Sequence, residues 1–367
     1  MSNVTDFSDL KNKYEKFSKP VVSLSVISKS NKDKFVIKDL HVELSCGFSA
    51  NMAVFNVYNV FDDEKKKFND DAFNQIFQIG KKINISVGYS SSVECVFSGF
   101  ISGVTYIFSE QDTPHLNIEC LDVKAIMMSN NNNKQIIQEN YTASINDIIN
   151  KSAYKPYYKT ADVDGNIKSP NGDDKFLMEM TNESDYDFIV RVAQKLGYEF
   201  FVSQETLYFR KKRIKTEPIM AISNKNVIAT LEANLNIVGM VDSVEVRSFN
   251  DTDAILVKAS AKSNANYSNS SSASKITQGS VKVIIDSTVT NDSEAQSRAN
   301  EELDKLAWNF GTFLIKTIGL PEIIPGRFIK IEDLSKDINK KAYIVKVTHH
   351  IDDNGFKTNF EARINSL

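Results

Sequence analysis

Residues that commonly carry chemistry are scarce in this sequence: three cysteines, four histidines and one tryptophan among 367 residues. Cys46, Cys95 and Cys120 are odd in number, far apart and form no CxxC pair. That pattern argues against a disulfide framework or a cysteine-built metal site. Each lies in a strand-like stretch, where a reduced thiol acts as a small hydrophobe. The histidines are His41, His115, His349 and His350, with no HExxH motif and no helical His-x-x-x-His spacing. His349 and His350 are adjacent on an expected strand and so point to opposite faces, unable to clasp one ion together. No metal and no cofactor is expected. Long apolar runs are missing too: none approaches the roughly 20 residues that span a bilayer. The opening MSNVTDFSDLKNKYEKF has no apolar signal core, so the expectation is a protein made and kept in a cytoplasm without membrane insertion. A net charge of −3 supplies no global attraction to nucleic acid or anionic lipid.

What the sequence does have is an ordinary globular balance, 41% hydrophobic and 25% charged, which argues against general disorder. The length implies more than one domain. An α+β, mainly β fold is expected, arranged as two β-domains with a small α+β region between them. Residues 1–20 read as a helical extension with Phe7, Leu10, Tyr14 and Phe17 on one face. Residues 21–128 read as the first β-domain, 129–215 as the inserted region and 216–367 as the second β-domain. Period-two alternation at Val22, Leu24 and Val26, at Val42, Leu44 and Cys46, and at Ile83, Ile85 and Val87 marks strands with one buried face. The polar run Ser129–Lys134 reads as a break. Ser144 is placed to cap a helix carrying Ile145, Ile148 and Ile149. A clearer helix starts at Ser184, which has capping-box spacing to Asp187. Phe188, Ile189, Val192, Ala193 and Leu196 form its apolar stripe, and Gly197 ends it. The hairpin Tyr198–Val202, Ser203–Glu205, Thr206–Phe209 follows. Residues 263–280, rich in Ser, Asn and Ala, read as a flexible loop. A last helix is expected over 293–308, carrying Ala295, Ala299, Leu303 and Leu306.

The two β regions share an ordered set of short words. Gly80 is followed three and five residues on by Ile83 and Ile85, then by Phe100-Ile101, Val104-Thr105 and Asn117-Ile118-Glu119. Gly326 is followed at the same offsets by Ile329 and Ile331, then by Tyr343-Ile344, Val347-Thr348 and Asn359-Phe360-Glu361. Common order and near-equal gaps point to a duplicated β-domain.

Candidates for chemistry resolve into structural readings. Gly80-Lys81-Lys82 lacks the earlier glycine and the following Ser/Thr of a phosphate loop, and reads as a turn into a strand. There is no GxSxG. Glu183, Asp185 and Asp187 are the closest approach to a hydrolase carboxylate pair, but acids at a helix start also complement its dipole. Arg210-Lys211-Lys212-Arg213 is the one dense basic run. With Tyr208 and Phe209 beside it, it reads as a solvated strand end with sheet packing, not as specific nucleic-acid recognition. No catalytic, cofactor-binding or metal residue is assigned.

The stretch from Glu183-Ser184-Asp185-Tyr186-Asp187-Phe188-Ile189 through Ala193 and Leu196-Gly197-Tyr198-Glu199-Phe200 to Leu207-Tyr208-Phe209 resembles the phage late control D family. That family includes contractile-tail baseplate hubs and the hub part of VgrG proteins of type VI secretion. Gly88-Tyr89 with Val96-Phe97-Ser98-Gly99, Gly319-Leu320-Pro321, Pro325-Gly326, Tyr343-Ile344-Val345 and the stretch from His349 to Gly355-Phe356 and Thr358 are similar as well. The likeness runs over about residues 20–367. It implies a non-enzymatic homotrimeric hub of a phage tail or tailocin-like bacteriocin particle, assembled in a bacterial cytoplasm, with 21–128 and 216–367 forming two tube-like β-barrel domains. Such a hub contacts a hexameric tail tube protein, a separate spike protein and other baseplate proteins, and takes no small-molecule substrate. The rival expectations are a tail-associated cell-wall hydrolase and a carbohydrate-binding adhesion protein.

Overall fold

A computed structural model describes residues 7–27, 34–129, 131–138, 140–165, 167, 176–213, 216–226, 228–250, 255–263, 275–287, 289 and 291–367. Among the described residues strands far outnumber helices, so the fold is mainly β, as expected. The first stretch holds α1 (Phe7–Lys13), β1 (Pro20–Leu24), β2 (Val36–Ser45), β3 (Met52–Tyr58), β4 (Phe61–Asp62), β5 (Lys67–Phe68), α2 (Asp70–Phe73), β6 (Lys82–Tyr89), β7 (Ser92–Ser109) and β8 (Asp112–Leu121). The middle holds α3 (Val123–Met127), β9 (Asn131–Gln138), α4 (Tyr141–Ile149), β10 (Thr160–Val163), β11 (Phe176–Ser184), α5 (Asp185–Leu196), β12 (Tyr198–Ser203) and β13 (Thr206–Lys211). The last holds β14 (Pro218–Ile222), β15 (Ile228–Leu235), β16 (Ser243–Asn250), β17 (Ile255–Lys262), β18 (Val281–Ile285), α6 (Asp292–Ala307), β19 (Gly311–Ile318), β20 (Phe328–Ile331), β21 (Lys341–Asp352) and β22 (Gly355–Ile364).

One sheet runs through both β regions in the order β1-β6-β7-β8-β3-β2-β21-β22-β19-β15, with β20 beside β21 and β14 beside β20. Alternation fixes its buried face: Leu40, Val42 and Leu44, Ala53, Phe55 and Val57, and Ile83, Ile85 and Val87 are all buried. They share a single apolar core with Phe313, Ile315, Ile329, Ile331, Ile344, Val347 and Phe360.

The words read as a duplication occupy matching places in this sheet. Gly80 and Gly326 both adopt positive φ, at 84° and 77°, a region in which glycine carries no Cβ penalty. Gly80 N–H donates to Ile101 O at 2.8 Å, and Gly326 N–H to Ile344 O at 2.9 Å. Two residues beyond each glycine, Lys82 pairs with Phe100 and Phe328 with Tyr343. The next hairpins agree in register down to the same bulge. Ile101↔Cys120 is followed by a slip and then Gly103↔Glu119, just as Ile344↔Ala362 is followed by a slip and then Lys346↔Glu361. Further out, Ala53↔Cys120 answers to Phe313↔Ala362, and Val42↔Ala53 to Ala233↔Phe313. The strand order β6-β7-β8-β3-β2 is thus repeated as β20-β21-β22-β19-β15.

The middle region has its own core around Ile145, Ile149, Phe188, Ile189, Phe200, Leu207 and Phe209. Ser184 and Asp187 form the expected capping box, and Gly197 ends α5 at φ 68°. Two local expectations fail. The cap of α4 is Asn140, whose Oδ1 accepts from Ala143 N–H at 2.8 Å; Ser144 lies inside the helix and is buried. The two residues are similar capping types, so spacing alone could not choose between them. The polar run after Ser129 continues into β9, which pairs antiparallel with β11; a partner strand overrides the weak β-propensity of asparagine. A third unit packs β17-β16-β18 against α6 through Val244, Val246, Val257, Ala295 and Ala299. The Ser/Asn-rich stretch 263–280 lies mostly outside the described residues. Its end, 275–280, includes a short helical turn, after which Ser280 N–H donates to Thr277 O at 3.0 Å.

Two buried polar groups make the fold testable. Lys124 is fully buried in α3, its Nζ donating to Ser49 O at 2.5 Å and to Gly47 O at 3.4 Å, with Asp122 Oδ2 at 3.8 Å. Burial pushes the Lys124 ammonium down and the Asp122 carboxyl up. Lys124→Met leaves two carbonyls and a buried carboxylate without their cation, and is expected to cost about 3–5 kcal/mol in urea unfolding. His349 is also fully buried, with Nδ1 3.0 Å from Thr358 Oγ1. Burial lowers its pKa to about 3 from an ordinary 6.5. The unfolded chain therefore takes up a proton that the folded chain refuses. Stability attributable to His349 is whole above pH 6.5 and falls as pH drops toward 3, with a slope of up to about 1.4 kcal/mol per pH unit. In a pH series of unfolding curves, His349→Asn should flatten that slope.

Candidate functional site

The acidic residues at the start of α5 are engaged within the fold. Asp185 is buried and accepts from Lys151 Nζ at 2.7 Å on Oδ1 and from Tyr154 O–H on Oδ2. Asp187 is occupied in the capping box. Glu183 takes a bidentate pair from Arg191, both bonds at 2.8 Å. The three carboxylates serve three separate structural contacts and do not converge on one cleft. Burial pushes the thiols up, Cys46 to about 12 and Cys95 to about 11, with Cys120 raised as well; none is a ready thiolate nucleophile.

Three residues of the basic run, Arg210, Lys212 and Arg213, turn toward the protein, while Lys211 is exposed. The hairpin places Glu199 directly opposite Arg210, and both are buried. Arg210 Nε donates to Glu199 Oε1 at 2.8 Å, and its Nη2 donates to Gly326 O at 2.9 Å. Its guanidinium lies 4.4 Å from the Tyr208 ring centroid. Tyr343 O–H donates to the other Glu199 oxygen. Burial raises the Glu199 carboxyl, opposed by Arg210. Arg213 sits 4.4 Å over Trp308 and pairs with Asp304, while Lys212 lies 3.7 Å from Glu301. A cationic run that would suit phosphates is thus used to fasten the middle region to the second repeat. Gly326 is where they meet: a Cβ there would fall 2.4 Å from Phe201 Cζ. Along the sequence Glu199 and Tyr343 belong to short family-like words, but nothing there marks them, or Trp308, as partners of the basic run. The hairpin turn and strand pairing make the Glu199–Arg210 pairing recoverable from local sequence, whereas Tyr343 arrives from 144 residues away.

Beside this junction lies a cleft of about 430 Å3, lined by Cys46, Phe48, Tyr198, Arg213, Trp308 and Lys346 among others. Its charged groups are largely paired: Lys346 with Glu43 at 2.8 Å and Arg363 with Glu361 at 2.8 Å.

The extension over 7–17 joins the two repeats. Leu10 and Tyr14 are buried, and Phe17 packs against Tyr89 at 5.2 Å. Tyr14 O–H donates to Glu322 at 2.6 Å, and Lys13 bridges Glu94 at 2.6 Å and Glu322 at 3.0 Å. Among the described residues no helix is long and apolar enough to cross a membrane.

Comparison with known proteins bears on the fold. The chain is similar to the tail protein from Neisseria meningitidis MC58, at TM-score 0.68 and 12% identity over 95% of this chain and 97% of that one. It is similar to the 43 kDa tail protein of prophage MuSo2 from Shewanella oneidensis, at TM-score 0.62 and 12% identity over 89% and 97%. A third similar structure is an E. coli protein described as a component of the type VI secretion system and as structurally similar to T4 bacteriophage tail proteins. That likeness has TM-score 0.55 and 10% identity over 93% of this chain and 76% of that one. Comparison with curated proteins gives no match. The family model described as the Alg8 N-terminal domain matches residues 24–353, from the end of β1 to the turn of the β21–β22 hairpin, and the chain belongs to that family.

Proposed function

We propose that this chain is a structural baseplate hub of a contractile phage tail or a phage-derived, tailocin-like injection system. The observation that carries the reading is the duplication. Two copies of one five-strand unit, in the same order and register, stand in one polypeptide. A cyclic trimer of such a chain offers six similar faces to a hexameric tail tube while keeping threefold symmetry for a spike. In this reading 21–128 and 216–367 supply the two tube-like units, and 129–215 lies outside the ring. Tail tube, spike and other baseplate proteins are the partners. The fold shared with the Neisseria and Shewanella tail proteins supports the reading. No reaction is assigned. A cell-wall hydrolase would need free acids in a cleft, and Asp185 and Glu183 are committed to Lys151, Tyr154 and Arg191.

The test is localisation. Particles purified from producing cells and labelled with gold-tagged antibody to this chain should carry label at one tail end, where tube meets spike, at about three chains per particle. Label along the tube, or particles without the chain, would sink the reading.

A further inference from the structure

Within the chain the two repeats meet edge to edge. β2, the last strand of the first repeat, pairs antiparallel with the outer half of β21 in the register Leu40↔Ile351, Val42↔His349, Leu44↔Val347. The contact is dry: Leu40, Val42, Leu44, Val347 and His349 are each at most 1% exposed. Duplication supplies both halves of this junction a second time, unjoined. The counterpart of β2 is β15, which ends the sheet and pairs only with β19 among the described strands. The counterpart of the outer half of β21 is the 103–109 segment of β7, whose described partner is β8 alone. At these vacant edges Leu235 is 37% exposed, Tyr106 49% and Phe108 65%.

We infer that β15 of one copy of this chain adds antiparallel to the 103–109 segment of β7 of the next copy. Carrying the internal register across by the matched positions gives Leu231↔Phe108, Ala233↔Tyr106, Asn234↔Thr105 and Leu235↔Val104. The occupant is a second copy because the fitting edge stands in the same sheet, where β7 runs on past the end of its ladder with β6 at Lys82↔Phe100. The β7 segment Gly103-Val104-Thr105-Tyr106-Ile107-Phe108-Ser109 has no charge and no proline. Those are devices by which edge strands ordinarily resist pairing, and an open backbone edge is a ready template for an added strand. The one charge on β15, Glu232, falls opposite Ile107, so no like charges meet. Phe68 and Phe73 hold the Tyr106 ring at 5.1 and 5.9 Å, bracing the strand through its side chain. The pairing is heterologous, so repeating it closes a ring or grows a filament; closure at three copies rests on the hub reading, while the pairing rests on the registers.

The full chain carrying both Thr105→Cys and Asn234→Cys, treated at increasing concentration with a short bismaleimide, tests this on denaturing gels. Covalent dimer and trimer are expected from the double variant and not from either single variant. Ile107→Cys with Asn234→Cys, two residues out of register, should give several-fold less product. Leu235→Lys should weaken association at least about tenfold by light scattering, with an unchanged melting temperature. A chain that stays monomeric and uncross-linked at every concentration overturns the pairing and leaves the hub reading standing. So does a trimer that cross-links equally out of register or ignores Leu235→Lys. Cross-linked rings from a chain absent at the tail tip would do the reverse.

Discussion

The β2–β21 junction is the contact on which the rest of the architecture depends. Antiparallel pairing there makes a single sheet out of two repeats far apart in sequence, and lets one apolar core run beneath both. Backbone edges and alternating side chains accomplish this together: the ladder fixes the register, and the register turns Val42 and Leu44 inward beside Val347. A slip of one residue would turn every one of those side chains outward.

Around that seam, buried polar links tie the remaining pieces to the sheet. Asn51 accepts from Ser45 N–H at 2.9 Å and donates its side-chain amide to Val202 O at 2.6 Å, tying the first repeat to β12. Arg210 spans from Glu199 to Gly326 O, tying the middle region to the second repeat. Such links are weak evidence for net stability, because desolvation offsets much of their attraction. They fix geometry instead, since each donor has one place where its partner waits.

The sequence showed its periodic elements plainly. Helix α5, with its capping box, apolar stripe and terminal Gly197, is legible because every signal lies within a few residues of its partner. The duplication was legible because register constrains sequence: glycine at the turn and isoleucines at alternate positions recur wherever the same bulged hairpin must be built. The cap of α4 and the strand β9 were not, since Asn140 and Ser144 are similar capping residues and an asparagine run becomes strand only when β11 lies beside it.

By itself, the sequence determined local periodicity, the repeat, and the poverty of nucleophiles and metal ligands. Tertiary structure decided what the charged residues do. Arg210 and Arg213 look like a solvated run along the chain, and folding brings Glu199, Tyr343, Asp304 and Trp308 around them. It also decided where the extension over 7–17 goes, because Glu94 and Glu322 meet only after the two repeats have joined. The physical reason is range. Alternation and capping act over a few residues and are written in order along the chain, whereas burial of a charge depends on partners that only a closed sheet brings within hydrogen-bonding distance.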